Sequence, residues 1–143
     1  MVPQDKSIPE DKIPDMIAYW QKGAEDDLNT AKDICHKADR YGASLFFLHL
    51  SIEKSLKSFF VKKHKNYAPL THNLLSLAKL CEIELTPERE NILSEINEFN
   101  MASRYPSEKN RFYSEATKEF ADEYLTKGTK LYLWISDNLK KLP

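Results

Sequence analysis

The chain has 143 residues, 41% of them apolar and 30% charged, with only three glycines, Gly23, Gly42 and Gly128. A chain of this length folds as one domain and buries roughly two-thirds of the surface it exposes when unfolded, so it needs neither disulfide nor metal to close a core. So few glycines exclude hairpin-rich folds, Gly-rich phosphate loops and a Rossmann fingerprint, and a formal net charge of −1 gives no global attraction to nucleic acid or anionic lipid. Cys35 and Cys81 form neither a Cys-x-x-Cys pair nor a zinc-finger spacing, and read as reduced, half-buried thiols. No signal peptide or membrane span is evident, and a cytoplasmic location is expected.

Residues 1–13 hold Pro3, Pro9 and alternating charges with little to bury, which predicts a flexible arm ahead of a single helical domain over 14–143. From Pro14 to Ala38, Ile17, Trp20 or Ala24, Leu28, Ala31, Ile34 and Ala38 recur at three- and four-residue steps. This predicts a helix about 37 Å long at about 1.5 Å per residue, with Pro14 in its first turn and Gly42 just past its end. The next helix, from Ala43 to about His64, has two apolar faces. Leu45, Leu48, Ile52, Leu56 and Phe59 make one; Ala43, Phe46, Phe47, Leu50 and Val61 make the other. Its remaining arc carries Ser44, Ser51, Ser55 and Ser58, small enough to face water or to admit a close neighbour. A helix buried on two sides is either central to a bundle or shared between the bundle core and a subunit interface; in a chain of this length the second is expected, hence a homodimer.

Thr71 is placed to cap a short helix containing Leu74, Leu75, Leu77, Ala78, Leu80 and Cys81. Thr86-Pro87-Glu88 starts the next, with a capping hydroxyl, Pro at the first helical position and an acid in the first turn. It carries Ile92, Leu93, Ile96 and Phe99 and is expected to end near Arg104, because Pro106 disfavours helical geometry at Tyr105. A polar loop over Ser107–Tyr113 and a last helix from about Ser114 to Leu139 complete the chain. The fold class expected is all-α, an up-and-down four-helix bundle with an additional short helix.

Candidate functional residues follow from these placements. His49, Glu53 and Lys57 stand four residues apart on one side of the second helix; Glu53 and Lys57 fall between its apolar faces, which suits a polar seam better than a simple helical ion pair, the other reading of this spacing. At a polar seam the Lys57 ammonium suits a phosphate, and Glu53 a ligand hydroxyl. Thr71-His72-Asn73 opens a helix whose free N–H groups attract anions. Arg104 and Tyr105, within Ser103-Arg104-Tyr105-Pro106, suit a phosphate and a stacked base. Lys57, Lys62, Lys63, His64 and Lys65 read mainly as a helix C-terminus complementing its dipole. His36, His49, His64 and His72 show no metal-ligand spacing, adjacent Cys35 and His36 point in different directions, and no metal, cofactor or catalytic triad is expected.

In order and spacing, Ala24-Glu25-Asp26-Asp27-Leu28-x-x-Ala31, Leu48-His49-x-x-Ile52-Glu53-Lys54-x-Leu56-Lys57, Thr71-His72-Asn73-Leu74 and Arg104-Tyr105-Pro106 resemble the HEPN (higher eukaryotes and prokaryotes nucleotide-binding) domain. The resemblance spans about residues 14–139 and implies a dimerising helical bundle. It also implies either of two activities. Many HEPN proteins are metal-independent ribonucleases with an Arg followed, after four to six residues, by a His; here no His follows Arg104 within that gap, and Arg40 to His49 is too long. What remains resembles the small prokaryotic members that accompany minimal nucleotidyltransferases in toxin–antitoxin-like two-component modules. On that resemblance the expected site is non-catalytic, binds a nucleotide or the nucleotidyltransferase partner, and comprises Glu53, Lys57, His72, Arg104 and Tyr105. The alternatives are an RNA-cleaving enzyme using His49 or His72 as base with Arg104, and a bundle that only binds other proteins.

Overall fold

The computed structural model describes residues 7–101 and 104–143. The first six residues of the expected arm, and Ser103, lie outside them. A 3₁₀ turn, Glu10–Lys12, leads into six α-helices: α1 (Ile13–Ala38), α2 (Tyr41–His64), α3 (Leu74–Leu80), α4 (Pro87–Asn97), α5 (Pro106–Glu115) and α6 (Lys118–Lys141). No strand occurs among the described residues, and none of their helices is long and apolar enough to cross a membrane.

Contacts set the helix directions. Ser44 Oγ donates to Ala31 O at 2.6 Å and Ser51 Oγ to Ala24 O at 2.7 Å, so α1 and α2 are antiparallel and meet along the serine arc. Leu48 packs on Gly128 and Lys62 donates to Leu139 O, so α6 runs parallel to α2. Arg89 lies on Trp134 and Phe99 on Tyr124, so α4 is antiparallel to α6. Helices α1, α2, α4 and α6 therefore form the expected up-and-down bundle, with α3 and α5 in its connections.

Helix α2 is its centre. Leu45, Leu48, Ile52 and Leu56 are buried, each contributing about 2 kcal/mol by burial of apolar surface. All four serines of the polar arc are buried too, so the arc admits α1 rather than water. Gly128 permits a close approach by α6: a Cβ there would lie 2.5 Å from Leu48 Cδ1.

Several boundaries correct the sequence reading. The polar loop expected over Ser107–Tyr113 lies wholly within helix α5, because Pro106, a stop for the preceding helix, also occupies the first helical position of the next with Glu108 in the first turn. Helix α4 ends at Asn97 rather than near Arg104, and α6 starts behind the Thr117 cap rather than at Ser114. Asn73, not Thr71, caps α3 by accepting from Ser76 N, while Thr71 Oγ1 accepts from Asn73 N. Asp39, not a glycine, takes the left-handed position after α1. Gly42 lies inside α2 instead, where a Cβ would stand 2.9 Å from the Tyr113 Cα of α5.

The arm also holds something to bury. Ile8 packs with Ile13 and Val61, beside Met16, Ile17, Trp20 and Ala68. The C-terminal part of α2's second apolar face is thus covered within the chain, whereas Ala43, Phe46 and Leu50 at its other end stay half-buried.

Candidate functional site

Three of the five sequence-designated residues form one hydrogen-bonded group. Lys57 Nζ donates to Glu53 Oε2 at 3.0 Å, and both side chains are only 6% exposed. His72, on the segment entering α3, places Nδ1 3.1 Å from each Glu53 carboxylate oxygen, and its own side chain is 64% exposed. The four-residue spacing on α2 makes the first contact, and the Asn73 cap holds His72 over it. Below, the Lys57 ammonium lies 5.2 Å from the Trp20 ring, an attraction strengthened by exclusion of water. In this setting the pair is neutralised internally, and removal of either partner would leave the other charge buried.

His49, one turn before Glu53, belongs to the same group. Its ring is fully buried, with Nε2 3.2 Å from His72 O, so the neutral form carrying the proton on Nε2 donates to that carbonyl. Burial lowers its pKa from the ordinary value, against the opposing pull of Glu53. Its Nδ1, and the indole N–H of Trp20, are buried without a hydrogen-bond partner among the described residues.

Arg104 and Tyr105 are not in this group. They lie in the connection between α4 and α5, where Arg104 pairs with Glu98 and Tyr105 stands 76% exposed as the residue preceding α5. Arg104 lines an open cleft of about 340 Å³ with Met101, Glu108, Arg111, Phe112 and Glu115. A hydrogen bond joins the segments that carry the two parts: Leu74 N donates to Asn97 Oδ1 at 2.9 Å, two residues beyond His72 and one before Glu98. Within the remaining basic run, Lys62 donates to Leu139 O near the end of α6 and His64 Nε2 lies 2.9 Å from Leu80 O, while Lys63 and Lys65 are exposed.

The cysteines differ. Cys81 is buried, donates to Leu56 O, and has its pKa pushed up to about 12 by burial, which makes it an inert thiol. Cys35 Sγ lies 3.6 Å from Asp122 Oδ1 on α6, and burial first, then Asp122, raises its pKa. His36 Nε2 is 3.8 Å from that same oxygen. Adjacent residues expected to diverge thus meet at Asp122, a partner 87 positions away that no local spacing in the sequence signals.

The HEPN domain family model matches residues 17–139. Among solved structures, TT1696 from Thermus thermophilus is similar with a TM-score of 0.70 and 16% identity, over 85% of this chain and 96% of that one. ST0689, an archaeal HEPN homologue, is similar with a TM-score of 0.63 and 20% identity, over 86% and 97%. No curated protein matches.

Proposed function

The chain belongs to the HEPN domain family, and from that premise we propose a non-catalytic, cytoplasmic, homodimeric protein that binds a nucleotide, or a minimal nucleotidyltransferase that carries one, in a toxin–antitoxin-like module. The observation that carries the reading is the Lys57–Glu53–His72 group, a charged cluster set into the wall of the core helix with its histidine open to solvent. A stabilising surface pair would not be placed there, because its desolvation is costly.

On this reading the five residues divide the work. Glu53 already satisfies Lys57, so a phosphate beside Lys57 would also face the carboxylate; the group suits a ribose hydroxyl or base edge reaching His72. Arg104 is the cation at hand for phosphate, since its pair with the exposed Glu98 is of the kind worth about 0–1 kcal/mol and is readily exchanged. Tyr105 offers an open ring beside it for a base. Binding is favoured over RNA cleavage because the His49 ring is sealed in the core and Arg104 pairs with a carboxylate, not a histidine. The half-buried Phe46 and Leu50 supply the surface for a second copy.

Calorimetric titration with ATP, GTP and their mono- and diphosphates tests the assignment. Arg104→Ala and His72→Ala are cleaner probes than Lys57→Ala, which strands Glu53 and confounds binding with folding. At least tenfold weaker binding in both variants is expected. Absence of binding to any nucleotide and to a nucleotidyltransferase, or unchanged affinity in the double variant, would overturn it.

A further inference from the structure

The meeting of Cys35, His36 and Asp122 has no part in the site above. One donor atom from each residue lies within 4.8 Å of the other two. Cys35 is buried, which fixes its sulfur, while the His36 and Asp122 side chains are 60% and 45% exposed. His36 and Asp122 line an open cleft of about 420 Å³ together with Lys32, Leu125, Thr126, Thr129 and Lys130, so an ion there has a route in and room for water.

A thiolate, an imidazole and a carboxylate are donors that zinc accepts together, and zinc with three protein ligands takes water as its fourth. Bond lengths of about 2.3 Å to sulfur and 2.0–2.1 Å to nitrogen and oxygen put tetrahedral edges at about 3.5 Å for S···O and about 3.3 Å for N···O. The Cys35–Asp122 separation of 3.6 Å already matches. The His36–Asp122 separation of 3.8 Å exceeds its edge by about half an ångström, and the Cys35–His36 side, within 4.8 Å, exceeds an S···N edge of about 3.5 Å by up to about 1.3 Å; rotation of the exposed His36 ring at a helix end closes both.

Charge is also balanced. Lys32 and Lys130 line the cleft and Lys118 acts on Cys35, so the surroundings oppose an uncompensated cation. The thiolate and carboxylate together offset a divalent ion, and the neighbouring lysines then face no net charge. Binding requires only that the Cys35 thiol release its proton to solvent as the sulfur–metal bond forms; nothing is oxidised or reduced.

We propose that Cys35, His36 and Asp122 form a site for a zinc-like divalent transition metal, with water in the fourth position, clamping the C-terminal end of α1 to the start of α6. Such a clamp ties the first long helix to the last, so metal would stabilise the folded chain in proportion to its concentration.

The test is cobalt titration of the full chain, freed of any affinity tag, followed by zinc displacement. One equivalent of Co²⁺ is expected to give the near-ultraviolet thiolate-to-cobalt charge-transfer band, which Zn²⁺ removes. Cys35→Ser abolishes the band and Cys81→Ser keeps it. Because Cys35→Ser alters the core, the surface variants Asp122→Asn and His36→Ala are the second arm, each weakening Zn²⁺ binding at least tenfold with an unchanged helical circular dichroism spectrum. A chain without a stoichiometric band, a band that survives Cys35→Ser, or zinc affinity unchanged in both surface variants overturns the proposal.

Discussion

The Glu53–Lys57–His72 group and the Cys35–His36–Asp122 group use similar side chains under opposite solvent conditions. In the first, carboxylate and ammonium are each 6% exposed and complete one another, so this ion pair is closed beneath the open His72 and its integrity is bound up with folding. In the second, only the sulfur is buried; the imidazole and carboxylate remain in water, and the group is open. The same ionic contact is therefore a structural commitment in one place and an open coordination set in the other, because the cost of an unpaired charge is set by the water it has lost.

The strongest way to break this comparison is to remove one carboxylate from each group. Glu53→Ala is expected to cost about 3–5 kcal/mol by leaving the Lys57 charge buried alone, whereas Asp122→Asn in metal-free protein should stay within about 0.5 kcal/mol. Urea midpoints measure both, and similar losses would refute the distinction. The double variant Glu53→Gln, Lys57→Met should recover much of the loss, because it leaves no buried charge.

Acid titration sharpens the comparison next. Because burial lowers the pKa of His49 in the folded state, the unfolded chain binds more protons over this window, and stability rises with pH. The His49 contribution is thus complete above the unfolded value of about 6.5 and is lost as pH falls from there through the depressed folded value. Glu53, His72 and Lys57 face this ring: the Glu53 charge and the bond to the His72 carbonyl hold its pKa up, while the His72 and Lys57 side chains hold it down. The urea midpoint should fall between pH 7.5 and pH 5, and His49→Gln should flatten that slope; an equal slope in the variant would assign the acid loss elsewhere.

Smaller effects come from a bond beside Cys35 and from the exposed rim of the Glu53–Lys57 pair. Ser44→Ala removes a buried bond to Ala31 O and should cost about 1 kcal/mol in thermal or urea unfolding. His72→Ala should cost less than about 1 kcal/mol, since its exposed ring is solvated once released. A larger loss would mean that His72 seals the group rather than resting on it.

The four bundle helices were legible in the sequence because helical period, Thr86-Pro87-Glu88 and the two-faced pattern of α2 act over a few residues. Helix α5 was missed because Pro106 carries two meanings, stop and start, and only the stop was read. The Glu53–Lys57 contact was visible as a four-residue spacing on one helix, and His72 through the ordered family motif. Arg104 and Tyr105 were visible as residue types, but their placement depends on where α4 ends.

By itself, the sequence determined the helical class, the two-faced character of α2 and the four-residue spacing of charges along it, since each depends on local periodicity. Tertiary structure alone decided which faces are covered. It turned the serine arc toward α1, brought Ile8 onto Val61, and seated Gly128 against Leu48. It also brought Asp122 of α6 to the adjacent Cys35 and His36 of α1. The physical reason is that convergence between helices depends on their crossing and depth of approach, which side-chain volumes settle only once the whole bundle has packed.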